Sequence, residues 1–362
     1  MSMRLTALRR RMAAKRLDAL IVTQPHNLRY LADFPDEDAA LFITAERAHI
    51  LTDFRYVGMV QERCVGFTLT EISGNWSMER TLAVLVRETG ANRVGFEAHH
   101  VPYATYRALR AALLDRGRAL AHLVPARNLV EEIRAEKEPQ ELAAIERAVL
   151  LADAALAQVL RRLTTAGSDA MTERQVAWEI ERTMREMGAE AAAFDVAVAA
   201  GPNSAVPHHV SGDRPLRPGE PIWIDMGARV DGYCSDLTRT FCLGEPDARF
   251  REIYDLVLRA QLSAEQALRP GVSGRVPDAA ARSLIAAAGY GDAFRHGTGH
   301  GVGLAIHELP SLGLRAPRSP LRPGHVVTVE PGIYLPGWGG VRIEDMAVVT
   351  PEGCRILTTS PK

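Results

Sequence analysis

The chain has 362 residues, 47% hydrophobic and 24% charged, with a formal net charge of −1. That length suits about two domains, each able to bury a core. The balanced charge gives no electrostatic reason to expect nucleic acid or an anionic membrane as partner, and no apolar run approaches the ~20 residues of a membrane span.

The opening segment carries Arg9, Arg10, Arg11, Lys15 and Arg16, as a targeting peptide does. Leu5, Leu8 and Met12 nevertheless recur at helical spacing and lead into the strand-like Leu20-Ile-Val-Thr23. An ordinary amphipathic helix over 3–16 is expected, then a strand over 18–23. Residues 40–44 and 48–52 read as a hairpin, 93–96 as another strand, and 77–89 and 102–116 as helices. Residues 1–128 are therefore expected to form a small α/β domain. It lacks the Gly-x-Gly-x-x-Gly that a dinucleotide fold shows after its first strand. His99 and His100, beside Pro102, read as surface or capping histidines.

A charged segment, Glu131 to Glu138, ends at Pro139, which suits the first turn of a helix. Leu142, Ile145, Val149, Ala152, Leu156, Val159 and Leu163 then keep helical spacing. The boundary is placed near 130, with a second domain over 129–362. Further helices are expected at 172–187, 249–268 and 275–288, and strands at 193–200, 220–229, 233–243, 325–335 and 341–350. This pattern is α+β, an antiparallel sheet with helices on one face.

Leu216-Arg-Pro-Gly-Glu-Pro-Ile-Trp-Ile-Asp-Met-Gly227 returns as Leu321-Arg-Pro-Gly-His-Val-Val-Thr-Val-Glu-Pro-Gly332, 105 residues on. The offset places Glu330 on Asp225, and each copy has a second acid downstream, Asp236 and Glu344. The third Leu-Arg-Pro-Gly, at 268–271, leads to no acid, so the tetrapeptide alone says little. Two half-sites of two carboxylates suggest a duplicated unit folded face to face around a polar centre, with divalent metal as counter-charge. Between the strands, Val230-Asp-Gly232 is a hairpin signal. With a two-residue loop, Asp225 faces residue 236 or 238, and either register keeps Asp225 and Asp236 on one face. The ordinary alternative for Asp225 is a salt bridge to Arg229 or Arg239. Arg342, two residues before Glu344 on the same face, suits a donor that orients a metal-bound carboxylate. In Phe294-Arg-His-Gly-Thr-Gly-His-Gly-Val-Gly303, His296 or His300 can supply a nitrogen ligand. His208 and His307 remain as substrate-binding or structural histidines. The four cysteines, Cys64, Cys234, Cys242 and Cys354, form no C-x-x-C pair and no disulfide framework. Buried reduced thiols in a cytoplasmic protein are expected.

These motifs resemble the pita-bread metallopeptidases (peptidase family M24), the group of methionine aminopeptidase, aminopeptidase P and prolidase. The resemblance rests on Asp225-Met-Gly, Gly232-Tyr-Cys-Ser-Asp236-Leu-Thr-Arg-Thr, His296-Gly-Thr-Gly-His300-Gly-Val-Gly, His307-Glu-Leu-Pro, Val329-Glu330-Pro-Gly-Ile-Tyr and Gly340-Val-Arg-Ile-Glu344-Asp. The first domain, with Asn27-Leu-Arg-Tyr-Leu-Ala, resembles the N-terminal domain of creatinase and prolidase. The fold implied is a pita-bread domain of pseudo-twofold halves beside a smaller α/β domain. The implied metal ligands are Asp225, Asp236, His300, Glu330 and Glu344, holding two divalent ions per subunit, Mn²⁺ first and Co²⁺ or Zn²⁺ as alternatives. Glu330 is implied as general base, and His208 and His307 as catalytic and substrate-binding residues. Arg342 is counted with the substrate-binding residues. The implied chemistry is attack on an Xaa-Pro bond by hydroxide shared between ions ~3.5–4 Å apart, its water's pKa lowered from 15.7 toward ~7. Xaa-Pro dipeptidase (prolidase) is the implied activity on short proline-containing peptides, with a homodimer as the assembly. The alternative is Xaa-Pro aminopeptidase (aminopeptidase P) on longer peptides. A metal-free hydrolase of the creatinase type, or a non-catalytic binding protein on this fold, is disfavoured by the intact ligand set.

Overall fold

The computed structural model of the protein describes residues 3–74, 76–115, 117–165 and 171–362. The chain divides into two compact units, Met1–Arg134 and Ala135–Lys362.

In the first unit a six-stranded mixed sheet runs in the order Thr68–Glu71, Ala48–Thr52, Ala39–Thr44, Ala19–Val22, Arg93–Glu97, His122–Ala126. Every residue of Ala19–Val22 is buried, as a strand covered on both faces requires. Leu82, Leu85 and Val86 of the helix Met78–Thr89 and Leu109 of Tyr103–Ala112 pack on Ile21, Phe42 and Val94. The opening helix, Met3–Ala14, buries Leu5, Leu8 and Met12, as their spacing predicts. The helix expected over 102–116 ends at Ala112, and residue 116 lies outside the described residues. Pro25–Ala32, a helix with Pro25 in its first turn and capped by the Gln24 side chain, is too short for hydrophobic period to announce it. Cys64 and Cys234 are buried thiols, whereas Cys242 and Cys354 are only half-buried, which corrects the expectation for that pair.

The second unit is built of two halves of the same plan. In the first, the helices Pro139–Thr165 and Glu173–Glu186 set Leu156, Val159, Val176 and Ile180 against Ile222, Ile224 and Met226 of the strand Pro221–Met226. In the second, Ala248–Ala267 and Arg275–Ala287 set Ile253, Val257 and Ile285 against Val327, Val329 and Ala347. Thr172 and Gln175 form a reciprocal capping box at one helix start, and Asp247 caps another through the Phe250 N–H, so side chains satisfy amides that the helices leave open. Asp231 and Gly232 both have positive φ, 49° and 79°, the two-residue turn whose twist suits a hairpin. It fixes the register that pairs Asp225 with Thr238 and Arg229 with Cys234. Of the two registers open in the sequence, this is the one with Asp225 opposite residue 238.

Four strands expected to be continuous are interrupted, and every interruption falls within two residues of an acid. The breaks lie at Gly227, at Ser235 and Asp236, at Glu330 and Pro331, and at Ile343 and Glu344. The strand expected over 193–200 is likewise reduced to Ala197–Ala200, with a separate short strand at Ala191–Ala192. Period-two patterning runs through such breaks without registering them. The amides there bond across the unit instead, Glu330 N–H to the Thr298 carbonyl at 2.7 Å and Glu344 N–H to the Thr238 carbonyl at 3.1 Å. At Gly227 a Cβ would lie 2.0 Å from the Ser235 carbonyl oxygen, so a side chain there would force the strands apart.

Candidate metal centre

The breaks take Asp236, Glu330 and Glu344 out of the ladders, while Asp225 stays paired with Ala197 and Thr238. Asp225, Asp236, His300, Glu330 and Glu344 all line a single cavity of about 330 Å³, together with His208, His296, His307 and Arg342. Ligand atoms of Asp236, His300 and Glu344 lie within 4.8 Å of one another. His300 Nε2 stands 3.5 Å from Asp236 Oδ2 and 3.4 Å from Glu330 Oε1, too far for good hydrogen bonds. His296, the other nitrogen candidate, is engaged elsewhere, with Nδ1 2.8 Å from the Gly297 carbonyl and Nε2 3.0 Å from the Tyr334 hydroxyl. His208 and His307 are exposed at the cavity, and the His307 ring lies 4.1 Å from that of His300.

The charges in this cavity do not balance. Burial, and then the charges of Glu344, Asp225 and Glu330, push the Asp236 carboxyl well above its usual range. Burial, Glu330 and Asp225 do the same to Glu344, and burial raises Glu330. His300 is held below its ordinary value by burial, which favours the neutral imidazole that a metal ligand must be. Asp225 Oδ1 is buried and has no hydrogen-bond partner, and a buried polar atom is rarely left so. Three acids of raised proton affinity, a fourth carboxylate with an orphaned oxygen and a neutral imidazole fit divalent cations of the oxygen-preferring kind.

Neighbouring side chains hold this set in place. Arg342 Nη2 donates to Asp225 Oδ2 at 2.6 Å, and its Nε to the Thr238 hydroxyl at 3.0 Å. That hydroxyl in turn donates to Glu344 Oε2 at 2.6 Å. Nη1 reaches the Tyr334 hydroxyl at 3.0 Å and the Pro207 carbonyl at 3.2 Å, so every nitrogen of Arg342 is occupied. Arg229 and Arg239 do not take the place of Arg342 beside Asp225; Arg239 instead pairs with Asp345 at 2.7 Å. The Thr328 hydroxyl accepts the His300 N–H at 3.0 Å and donates to Glu330 Oε1 at 3.2 Å. Glu173, wholly buried, accepts from Ala200 N–H, Asn203 Nδ2 and Gly212 N–H and lies 2.8 Å from His209 Nε2, which shapes the loop carrying His208. Thr238 and Tyr334 fall inside the motifs visible in the sequence, but nothing there marks them as donors to the acids. Thr328 lies inside the repeat, again unmarked as a donor, and Glu173 carries no sequence signal at all.

A family model described as Metallopeptidase family M24 matches residues 143–351, and one described as Creatinase/Prolidase N-terminal domain matches residues 4–135. The chain belongs to metallopeptidase family M24. It is 40% identical over 360 residues to the "Uncharacterized peptidase YqhT" of Bacillus subtilis, which covers 99% of each protein. Among solved structures it resembles an Xaa-Pro dipeptidase from Bacillus anthracis, with a TM-score of 0.93 and 39% identity over 99% of this chain and 98% of that one. An X-Pro aminopeptidase from Thermotoga maritima follows the same fold at a TM-score of 0.86, with 32% identity over 97% and 98% of the two chains. The two halves of the second unit are thus the halves of the family's pita-bread fold, and the protein is a metallopeptidase. Among the described residues, no helix is long and apolar enough to cross a membrane.

Proposed function

We propose that this metallopeptidase is an Xaa-Pro dipeptidase, an exopeptidase that cleaves the bond preceding a terminal proline in short peptides. The observation that carries the reading is the convergence of Asp225, Asp236, His300, Glu330 and Glu344 on one cavity. In this reading these five residues of the second unit, the catalytic domain, hold two divalent ions. Mn²⁺ is the native pair, and Co²⁺ or Zn²⁺ substitute because an oxygen-rich site with one imidazole accepts several metals. Bound there, the ions supply a water acidified toward neutral pH and a Lewis acid for the scissile carbonyl.

The chain's own residues do the rest. Glu330 takes the proton of the attacking water and returns it to the proline nitrogen as the C–N bond breaks; the Thr328 hydroxyl keeps its Oε1 in place. His307, its proton affinity lowered by burial and then by His300, is a neutral imidazole with one N–H to donate. Together with His208 it binds the peptide carbonyl and the oxyanion that develops from it. Phe194, Pro207 and Ile306 form an apolar wall of the cavity against which the pyrrolidine ring packs. Arg342, the one guanidinium among the lining residues, draws the substrate carboxylate inward while keeping Asp225 aimed at the ions. The reading includes a homodimer, which a mass measurement in solution tests, and a cytoplasmic setting, which fractionation tests.

The second reading, an Xaa-Pro aminopeptidase acting on longer peptides, is supported by the likeness to the T. maritima protein. An Xaa-Pro dipeptide and an Xaa-Pro-Yaa tripeptide, each assayed with Mn²⁺ and after chelation, separate the two. Cleavage of the dipeptide at least tenfold faster, lost on chelation and restored by Mn²⁺, is the expected outcome. Preference for the tripeptide overturns the dipeptidase reading, and undiminished activity in chelator overturns the metal reading.

A further inference from the structure

Behind Glu344, on the side away from the cavity, lies a buried ionic network that the catalytic reading does not use. Arg239 follows Thr238 in the chain and Asp345 follows Glu344. Since side chains alternate across a strand, the pair Arg239–Asp345 backs directly on the pair Thr238–Glu344. The Arg239 and Asp345 side chains are 4% and 0% exposed. Arg239 Nη1 donates to the carbonyl of Glu344 itself and to that of Thr238 at 3.0 Å.

The other half of the network comes from residues 358–362. The Thr358 hydroxyl donates to Asp345 Oδ1. The carbonyls of Ser360 and Pro361 accept from Arg239 Nε at 3.1 and 3.0 Å. Lys362 Nζ is paired with Asp345 Oδ2, lies 3.2 Å from Glu265 Oε1 and donates to Gln261 Oε1 at 2.9 Å. Gln261 Nε2 completes the set with 2.9 Å to Asp345 Oδ2. From the opposite side Asp153, on the helix Pro139–Thr165, accepts from Thr359 N–H at 2.7 Å and Ser360 N–H at 3.1 Å, and from both hydroxyls at 2.8 and 2.6 Å. A segment of five residues is thus anchored by an acid on one side, and inserts its lysine between two acids on the other. Arg239 and Lys362 are the cations that face Asp345 and Glu265 in this network.

We propose that the segment Thr358–Lys362 is a positioning element of the metal centre, in which Lys362 and Arg239 together hold Asp345 so that Glu344 reaches the ions. The proposal rests on the reading of Glu344 as a metal ligand. Without the ammonium group Asp345 Oδ2 loses its cation and Gln261 and Glu265 lose the donor they share, so the strand start that carries Asp345 shifts as these groups find new partners. Because Glu344 is one bond away, its carboxylate moves with it. Partners of this kind, one step removed from the ligands, alter metal affinity about 10–100-fold when lost.

The test compares the wild type with Lys362→Met and Lys362→Arg in the full chain, with Mn²⁺ as probe. Titration calorimetry reads the Kd, and melting with and without Mn²⁺ reads the stabilisation by metal. We expect Lys362→Met to keep the wild-type circular dichroism while its Mn²⁺ Kd rises about tenfold, its metal-dependent Tm gain shrinks, and Lys362→Arg restores both. On an Xaa-Pro dipeptide, half-maximal activity requires about tenfold more Mn²⁺ than in the wild type, a shift that a smaller folded fraction alone, which lowers kcat at unchanged KM, does not produce. A folded Lys362→Met with wild-type Kd overturns the proposal, as does an arginine variant that behaves like methionine. Should Lys362→Met not fold, Thr358→Val removes one hydrogen bond to Asp345 and no charge; a raised Kd there supports the proposal and an unchanged one overturns it. A wild type that binds no Mn²⁺, Co²⁺ or Zn²⁺ overturns the metal reading beneath it, so the two failures are distinguishable.

Discussion

Lys137 and Glu308 form an ion pair whose removal has a calculable consequence. Nζ lies 2.7 Å from Oε1, with the side chains 1% and 6% exposed. Glu308 also accepts from the Ala305 N–H at 3.3 Å and fills the space opposite Gly303, where a Cβ would come within 2.3 Å of its Oε1. The pair therefore secures the loop that presents His307. Replacing Lys137 by Met preserves much of the volume and leaves a buried carboxylate without its cation. Breaking a buried pair in this way costs about 3–5 kcal/mol, whereas neutralising both partners together is close to neutral. For a folding unit in the size range of Ala135–Lys362, each kcal/mol moves Tm by roughly 2–4 °C, so Lys137→Met should lower the melting of that unit by about 6–20 °C. Lys137→Met/Glu308→Gln keeps an acceptor for Ala305 and removes the stranded charge, and it should recover more than half of the loss. Calorimetry of the wild type, both single variants and the double variant completes the cycle. A Lys137→Met loss below about 1 kcal/mol would refute the reasoning, and so would a double variant no more stable than the single.

His325 gives a pH dependence of definite sign. Burial, and then the Lys137 charge, lower its pKa to about 4, and its Nδ1 accepts the Arg322 N–H at 3.2 Å. The unfolded chain takes up the proton near pH ~6.5 while the folded chain refuses it until about pH 4. The unfolded state binds more protons in that window, so stability falls as the pH drops through it, by at most about 3 kcal/mol. Denaturant midpoints from pH 7.5 to 4.5 should fall less steeply in His325→Gln; parallel curves would show that His325 contributes nothing. At Gly299 a Cβ would lie 2.0 Å from the Thr328 carbonyl oxygen, so Gly299→Ala must push His300 away from Glu330. A displacement near 1 Å lowers turnover about 100-fold, and peptidase assays with Mn²⁺ titration should show both activity and metal affinity reduced; wild-type values for both would contradict the close packing.

Much of the centre was legible because its residues violate the pattern around them. Asp225 and Glu330 are acids closing apolar runs, and burial of an acid is unfavourable without a counter-charge. Their recurrence at a fixed offset made a shared centre the economical reading. The helices were legible for the ordinary reason, since Leu142 to Leu163 and Val176 to Met184 show a 3.6-residue period over two turns or more. What stayed hidden depends on pairings between distant segments. Arg342 lies 117 residues from Asp225, and Lys137 lies 171 residues from Glu308. The spacing to Glu344 marks Arg342 as a donor to a carboxylate, but nothing local says that this carboxylate is Asp225.

The charged stretch from Glu131 to Glu138 shows the limit most sharply. It is legible in the sequence only as a charged segment before a helix, yet Arg134 and Lys137 within it are 3% and 9% exposed. Arg134 Nη1 donates to Asn27 Oδ1 at 2.8 Å, and Lys137 closes on Glu308. A run of charge defaults to a surface only when its partners are water, and sequence order does not say which partners folding will bring. The same holds for the strand breaks. The buried run continues through Glu330 and Glu344, whose neighbours are buried on both sides, so pattern alone cannot separate a continuous strand from one interrupted to aim a carboxylate. The distinguishing event is the amide of the acid leaving its ladder for the Thr298 or Thr238 carbonyl. That exchange conserves hydrogen bonds, so no residue type needs to change to mark it.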